Sequence, residues 1–228
     1  MISVALIGPD GSGKTTIARR VQDVLPVPAR YLYMGVNLEA SEVLLPTTRV
    51  LRGLRRARGK SLDVAGPREH ESSAGKSSSL GGSLREVKSL LSLGHRILDE
   101  WYRQYRAWRW QRSGAVVLFD RHYYPDYYAY DIANGAGPRP LHRRIHGWLL
   151  EHVYPKPDLL IFLDAPAEVL YARKREGSVA LLERRRQDYL AMETLVPSFA
   201  RVDATLPEDE VVEAVAKLIC QRLGTRAE

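Results

Sequence analysis

A glycine-rich loop between an apolar segment and a helix-forming segment is the feature of this 228-residue sequence that most restricts its fold. The segment ISVALIG (2–8) is short and apolar, which is typical of a buried parallel strand. The residues GPDGSGKT (8–15) follow it and match the pattern G-x-x-x-x-G-K-S/T in full. Behind them Ile17, Val21 and Val24 keep helical spacing until Pro26. A strand, a phosphate-binding loop and a helix are therefore expected in this order.

The residue types of this loop suit the binding of a nucleoside triphosphate. Its glycines allow the backbone N–H groups to point at phosphates, and the helix that follows adds the positive end of its dipole. Lys14 offers a charge to the β and γ phosphates, and Thr15 offers a hydroxyl to Mg²⁺. The expected cofactors are ATP and Mg²⁺, and the loop leaves the reaction open. The predicted nucleotide-binding residues are Gly8, Pro9, Asp10, Gly11, Ser12, Gly13, Lys14, Thr15 and Thr16.

A second group of candidate residues lies in VVLFDRHYYPD (116–126). A carboxylate at the carboxyl end of a central strand can hold Mg²⁺ beside a phosphate loop, and Asp120 is placed for that role together with Thr15. The planar fork of Arg121 suits a phosphate on the acceptor. The alternative is a salt bridge that only caps the strand.

A third group lies in LYARKREGSVALLERRR, where Arg173 and Arg175 precede a run of three arginines at 184–186. Arginines on a closing flap can neutralise the transferring phosphoryl group and exclude water, so residues 173–187 are predicted to form a lid. The alternative for each of these arginines is a solvated basic helix.

Strand and helix patterns alternate along the whole chain. The strands are predicted at 2–8, 29–36, 114–122, 157–165 and 199–204, and the helices at 14–25, 84–112, 142–154 and from Pro207 onward. This alternation predicts an α/β fold with three α/β/α layers, a central five-stranded parallel sheet and a single domain over 1–228. Together with the phosphate loop, it indicates a fold of the P-loop NTPase type.

Two segments of the chain carry further expectations. Residues 59–83 are rich in Ser and Gly with few large apolar side chains, and they are predicted to be a mobile insertion. In the helix that follows, the spacing of Ile97, Trp101, Tyr105 and Trp108 predicts one buried aromatic stripe.

Composition limits the partners and the location. A net charge of +7 and a pI of about 9.6 indicate an anionic partner, either nucleic acid or a phosphorylated small molecule. No apolar run approaches the ~18 to 20 residues of a membrane span, and the first residues lack a secretory pattern, so a cytoplasmic location is expected. Cys220 is the single cysteine, which excludes an internal disulfide, and core filling is expected for it.

Together these segments resemble the thymidylate kinase family. GPDGSGKTT corresponds to its phosphate loop and DRH to its D-R-Y/H motif. PDLLIFLDAPAEVLYARK is similar to the strand and helix that lead to its lid, and VDATLP to a nucleotide-side segment near its C-terminus. The resemblance covers roughly residues 1–35 and 90–220. It implies phosphoryl transfer from ATP to a nucleoside monophosphate, dTMP or a related one, and a homodimer formed through the long helices.

The resemblance also implies roles for individual residues. Asp10 would face the acceptor and lie between the two substrates, Asp120 would serve the metal, and Arg121 would bind the acceptor phosphate. Arg173 and Arg175 would contact the donor. The implied catalytic residues are Asp10, Lys14, Asp120, Arg121, Arg173 and Arg175, and the implied metal ligands are Thr15 and Asp120.

The acceptor half departs from the family pattern. Where the family has an arginine that reads the thymine base, the segment HRILDEWYRQYR has Asp99, with Arg96 and Arg103 a turn to either side. YYPDYYAYD follows the D-R pair in place of small polar residues. A nucleoside or a sugar phosphate therefore stays open as acceptor, and a hydroxyl acceptor would need a base such as Asp10, Asp99 or Asp126.

Two further hypotheses remain. The basic run at 49–60 and four tryptophans would suit a nucleic-acid-binding protein that hydrolyses ATP slowly, although no nucleic-acid module is recognisable. A degenerate protein with a structural role is the other hypothesis. The joint presence of Lys14, Thr15, Asp120 and Arg121 argues against it.

Overall fold

The fold is an open, all-parallel sheet with helices on both faces. The computed structural model describes residues 1–35, 41, 43–57, 79–123 and 141–225. The strands are β1 (Ser3–Ile7), β2 (Ala29–Tyr33), β3 (Val116–Asp120), β4 (Leu159–Asp164) and β5 (Phe199–Asp203). The helices are α1 (Lys14–Val24), α2 (Pro46–Ala57), α3 (Ser79–Arg112), α4 (Leu141–His152), α5 (Ala167–Lys174), α6 (Val179–Leu190) and α7 (Glu208–Thr225), and a short 3-10 helix spans Ala191–Thr194.

The strand order β2-β3-β1-β4-β5 places β1 at the centre of the sheet. Leu6 pairs with Asp120 of β3 on one side and with Ile161 of β4 on the other. Because all strands are parallel, their carboxyl ends meet at one edge of the sheet, which is where open sheets of this class bind ligands. The phosphate loop, Asp120 and Asp164 all follow or end strands at that edge.

The alternation of side chains along β1 divides the core in two. Val4 and Leu6 pack with α1 and α7 on one face, whereas Ala5 and Ile7 pack on the other face against α3 and α4. All five residues of β1 are buried. The predicted three-layer α/β/α fold around a five-stranded parallel sheet is therefore confirmed, with each predicted strand in its place.

The predicted buried aromatic stripe on the long helix is wrong. Trp101, Tyr105 and Trp108 are 38%, 49% and 48% exposed. The inward face of α3 instead carries Leu93, Glu100, Arg103 and Ala107, which keep helical spacing and are each at most 5% exposed. Two of these four are charged, so hydrophobic periodicity selected the wrong face, since polar groups that find partners can be buried as well.

Smaller differences concern α3 and the C-terminal helix. α3 begins at Ser79 and so includes the last five residues of the predicted insertion; residues 59–78 lie outside the described residues. Cys220 on α7 is exposed, so the expectation of core filling is wrong for it. In the part of the chain that the structure describes, no helix has the length and hydropathy of a membrane span.

Candidate active site

The phosphate loop is formed by glycines in conformations that other residues avoid. Gly11 and Gly13 have φ angles of 89° and 84°, both in the left-handed region. A Cβ on Gly11 would lie 2.6 Å from the carbonyl oxygen of Leu170 on α5, so the loop packs directly against that helix. Close packing of α5 against the loop therefore leaves no room for a side chain at Gly11.

Lys14 is turned back into this loop. Its Nζ donates to the carbonyl of Pro9 at 2.7 Å and lies 3.2 Å from the Ser12 hydroxyl, and the residue is only 5% exposed. A buried ammonium held by the loop's own oxygens is pre-positioned for phosphates that enter the same loop.

Thr15 and Asp120 meet at the carboxyl edge of the sheet, as the sequence predicts for a metal site. The Thr15 hydroxyl donates to Oδ2 of Asp120 at 2.6 Å, and Tyr31 OH donates to the same oxygen at 2.8 Å. Asp120 is 1% exposed, and its Oδ1 atom has no hydrogen-bond partner among the described residues. A buried, unsatisfied carboxylate oxygen beside a hydroxyl is the kind of hard-oxygen donor set that Mg²⁺ prefers, so the residues present fit this metal.

Asp10 is the meeting point of two arginines from different elements. Arg121, directly after β3, bonds its Oδ1 through Nη2, and Arg185 of α6 donates from Nη1 to Oδ2 at 2.9 Å. Burial alone would raise the pKa of this carboxyl, but the positive charges around it, Arg121 first among them, lower it from 3.8 to about 2. Asp10 is therefore ionised at neutral pH and too weakly basic to accept a proton there.

Arg121 is held in an unusual backbone conformation. Its φ is 65°, and apart from it only Arg175 among the described non-glycine residues has a positive φ. Such strain in a non-glycine residue is found where surrounding structure enforces it, often at functional sites. The next residue, His122, is fully buried against Phe119 and Tyr123, and burial lowers its pKa to about 3. The D-R pair therefore faces the loop, whereas the histidine of DRH belongs to the core.

Gly35, just past β2, makes room for Arg121. A Cβ at this position would lie 2.5 Å from Cδ of Arg121 and would also overlap the Tyr33 ring. Arg103 of α3, which is 2% exposed, donates to the Gly35 carbonyl at 3.0 Å. The buried Arg103 thus fixes the backbone that the side chain of Arg121 crosses, and the sequence alone indicated neither contact.

Asp99 and Arg103 form an internal clamp between α3, β2 and the start of α2. Their side chains pair at 3.2 Å with 1% and 3% of each exposed. Oδ1 of Asp99 accepts from the Leu45 N–H at 3.2 Å and lies 3.3 Å from the Thr48 hydroxyl. The contacts of Asp99 therefore join three elements of the fold, and they give this residue a structural role instead of the predicted role of a general base. The other candidate base, Asp126, lies outside the described residues.

The arginines of the predicted lid have four different positions. Arg173 donates to the Ala204 carbonyl at 2.9 Å, and the exposed Arg175 ends α5 in a left-handed conformation. Arg185 donates to Asp10. Arg186 donates to both carboxylate oxygens of Asp164 at the end of β4, from Nε at 2.6 Å and from Nη2 at 3.0 Å. The described structure thus brings Arg185 to the phosphate loop, while the predicted donor contacts of Arg173 and Arg175 stay predictions. The run of three arginines was visible in the sequence, but which of them points inward was not.

Comparisons with known proteins agree with the resemblance over part of the chain. A "Probable thymidylate kinase" of Archaeoglobus fulgidus is 34% identical over 115 residues, which are 47% of this chain and 55% of that protein. A "Probable thymidylate kinase 1" of Saccharolobus solfataricus is 29% identical over 120 residues, 49% of this chain and 58% of that protein. The chain thus spans somewhat more than half the length of these curated relatives. No protein-family model matches it. The similarities support a thymidylate kinase-like relationship.

Proposed function

We propose that this chain is an ATP-dependent phosphotransferase of the thymidylate kinase type, acting on a nucleoside monophosphate, dTMP or a related one. The observation that carries the proposal is the convergence of Arg121 and Arg185 on Asp10 within the phosphate loop. Two guanidinium groups from different elements at one loop supply positive charge that could stabilise a phosphoryl group transferred there. The curated relatives, which are named as thymidylate kinases, support the same reaction class.

On the donor side, the loop N–H groups and Lys14 would bind the triphosphate. Thr15 and Asp120 would hold Mg²⁺, which neutralises the β and γ phosphates when it is bound. Arg185 on α6 would close over the transferring group and exclude water, and Arg173 and Arg175 would contribute to the same lid.

On the acceptor side, the site favours a phosphate over a hydroxyl. A phosphate oxygen is already ionised at neutral pH and attacks the γ phosphorus without a base, with ADP as the leaving group. Among the described residues, Asp10 has its pKa held near 2 and is too weakly basic to take a proton at neutral pH, and the carboxylate of Asp99 is tied to the Leu45 N–H and to Arg103 inside the fold. Arg121 would bind the acceptor phosphate by its fork.

A sugar phosphate is the second candidate for the acceptor. The resemblance aligns Asp99 near the base-reading arginine of the family, and the neighbouring Arg103 is buried and occupied by backbone carbonyls. Recognition of a thymine base by these two residues would require breaking the clamp between α3 and β2.

The cytoplasmic location stays a prediction.

A homodimer through the long helices is part of the proposal. Leu98, Trp101, Tyr105 and Trp108 follow one face of α3, and all four are exposed. Aromatic residues exposed in a row are typical of an interface core. Sedimentation at micromolar concentration should give twice the mass of the chain, and a monomer would contradict this part of the proposal.

The decisive experiment is a panel of nucleoside monophosphates, nucleosides and sugar phosphates, scored by ADP production. The proposal expects fast ADP release only with a phosphorylated acceptor, and loss of that release in Lys14→Ala with the fold retained. Lys217→Ala, which removes an exposed lysine from α7, is the matched control. ADP release that needs no acceptor, or unchanged turnover in Lys14→Ala, would contradict the assignment.

A further inference from the structure

We infer that Tyr31 is a positioning residue for Asp120, and that its hydroxyl sets the affinity of the site for Mg²⁺. This inference rests on the proposed function, since it concerns the metal of the donor site. Tyr31 lies in the middle of β2, a strand whose sequence shows only the pattern of a sheet element. It pairs with Leu118, whereas Asp120 pairs with Tyr33 two residues further on. A long phenol side chain spans this offset, and its OH reaches Oδ2 of Asp120 at 2.8 Å.

The contacts of the Asp120 carboxylate are strongly asymmetric. Oδ2 receives two hydroxyl donors, from Tyr31 and from Thr15 at 2.6 Å, whereas Oδ1 has no hydrogen-bond partner among the described residues. Two donors on one oxygen fix the rotation of the carboxylate group about its Cβ–Cγ bond. The geometry therefore presents Oδ1 as the free acceptor.

Tyr31 is itself held in place as a neutral donor. The guanidinium of Arg19 on α1 lies 4.7 Å from the centre of its ring, within the range of a cation–π contact. The phenol hydroxyl carries one proton, and it donates that proton to Oδ2 of Asp120. A threonine hydroxyl can ligate Mg²⁺ through a lone pair and still donate its proton, so Thr15 and Tyr31 both orient Asp120. Of the two, Tyr31 is the donor to which no metal contact is assigned.

Partners that orient metal ligands in this way change metal affinity about 10- to 100-fold when they are removed. Tyr31→Phe deletes the hydroxyl and keeps the ring against Arg19, so the fold should be retained. We expect the Mg²⁺ concentration at half-saturation to rise about tenfold. Nucleotide binding measured in EDTA should stay within about twofold, because no phosphate contact is assigned to the phenol.

The test is an equilibrium titration of a fluorescent ATP analogue, first in EDTA and then with rising MgCl₂, so that no turnover is needed. The control is Tyr171→Phe, which removes the hydroxyl of an exposed tyrosine on α5. An unchanged or lower Mg²⁺ midpoint in Tyr31→Phe would overturn the inference while leaving the proposed function standing, and so would an equal loss of binding with and without Mg²⁺. If the wild-type protein binds no nucleotide, or binds it without any effect of Mg²⁺, the proposed function fails and the inference fails with it.

Discussion

Arg185 of α6 lies 2.9 Å from Asp10 of the phosphate loop, measured from Nη1 to Oδ2. Its neighbour Arg186 binds Asp164 at the end of β4 through two nitrogens. Two consecutive arginines thus tie one helix to the loop and to the sheet edge. Because adjacent helix positions point about 100° apart, a single helix can make both contacts only in one orientation. The arrangement therefore combines a structural anchor with a positive charge at the candidate active site.

Arg185→Ala should lower kcat about 10²- to 10³-fold, because the proposed function assigns this cation to the charge on the transferring group. Arg184→Ala, which changes an exposed position of the same helix, should leave kcat close to the wild-type value. Steady-state ADP release with the best acceptor of the panel measures both. Equal kcat values for the two variants would show that Arg185 does not contribute to catalysis.

Gly35→Ala should raise KM for the acceptor more than KM for ATP. The added Cβ would lie 2.5 Å from Cδ of Arg121 and displace that side chain from Asp10. Gly94→Ala on α3 is the matched control, since nothing lies within 4 Å of a Cβ there. Both KM values should be determined for each variant. An equal rise of the two would contradict the acceptor role proposed for Arg121.

Arg186→Ala should reduce the free energy of unfolding by about 2 kcal/mol, since it leaves a nearly buried carboxylate with one partner fewer. Asp164 is 4% exposed and keeps only the exposed Arg201, at 2.5 Å, as a cation in the described structure. Arg20→Ala breaks a surface pair with Glu208 and Asp209, and its stability should be indistinguishable from wild type. Urea denaturation of the two variants compares the sites. A larger loss in Arg20→Ala would reverse this ranking.

Asp10 should contribute to stability in a pH-dependent way. Its pKa is lowered from 3.8 to about 2 in the folded protein, so its contribution is fully present above about pH 4 and is lost as the pH falls toward 2. At neutral pH this contribution amounts to about 2 kcal/mol. The gap in unfolding free energy between the wild type and Asp10→Asn, measured in urea, should therefore shrink by about half from pH 6 to pH 3. A gap that grows toward low pH would contradict the lowered pKa.

The local patterns of the sequence were sufficient to predict the sheet and the position of the phosphate loop in it. Glycine spacing and an apolar strand define the phosphate loop, because its conformation depends on residues adjacent in the chain. Alternation of strand and helix patterns predicted five parallel strands, and parallel strands bring their carboxyl ends together. That is why the meeting of Thr15 with Asp120 at 2.6 Å could be expected without the structure.

Contacts between distant elements depended on the folded arrangement. No local signal distinguishes Arg185 from the arginines on either side of it, because the packing of α6 against the loop selects the one that reaches Asp10. In the sequence Tyr31 has no feature that separates it from other strand residues. Its contact with Asp120 exists only because β2 pairs with β3 in the folded protein. The exposure of Trp101 has the same origin. Arg103 could occupy the inner face of α3 because the backbone carbonyls of Tyr33 and Gly35 accept hydrogen bonds from it. Hydrophobic periodicity records which side chains prefer to leave water, and it carries no information about which polar groups find partners inside the fold.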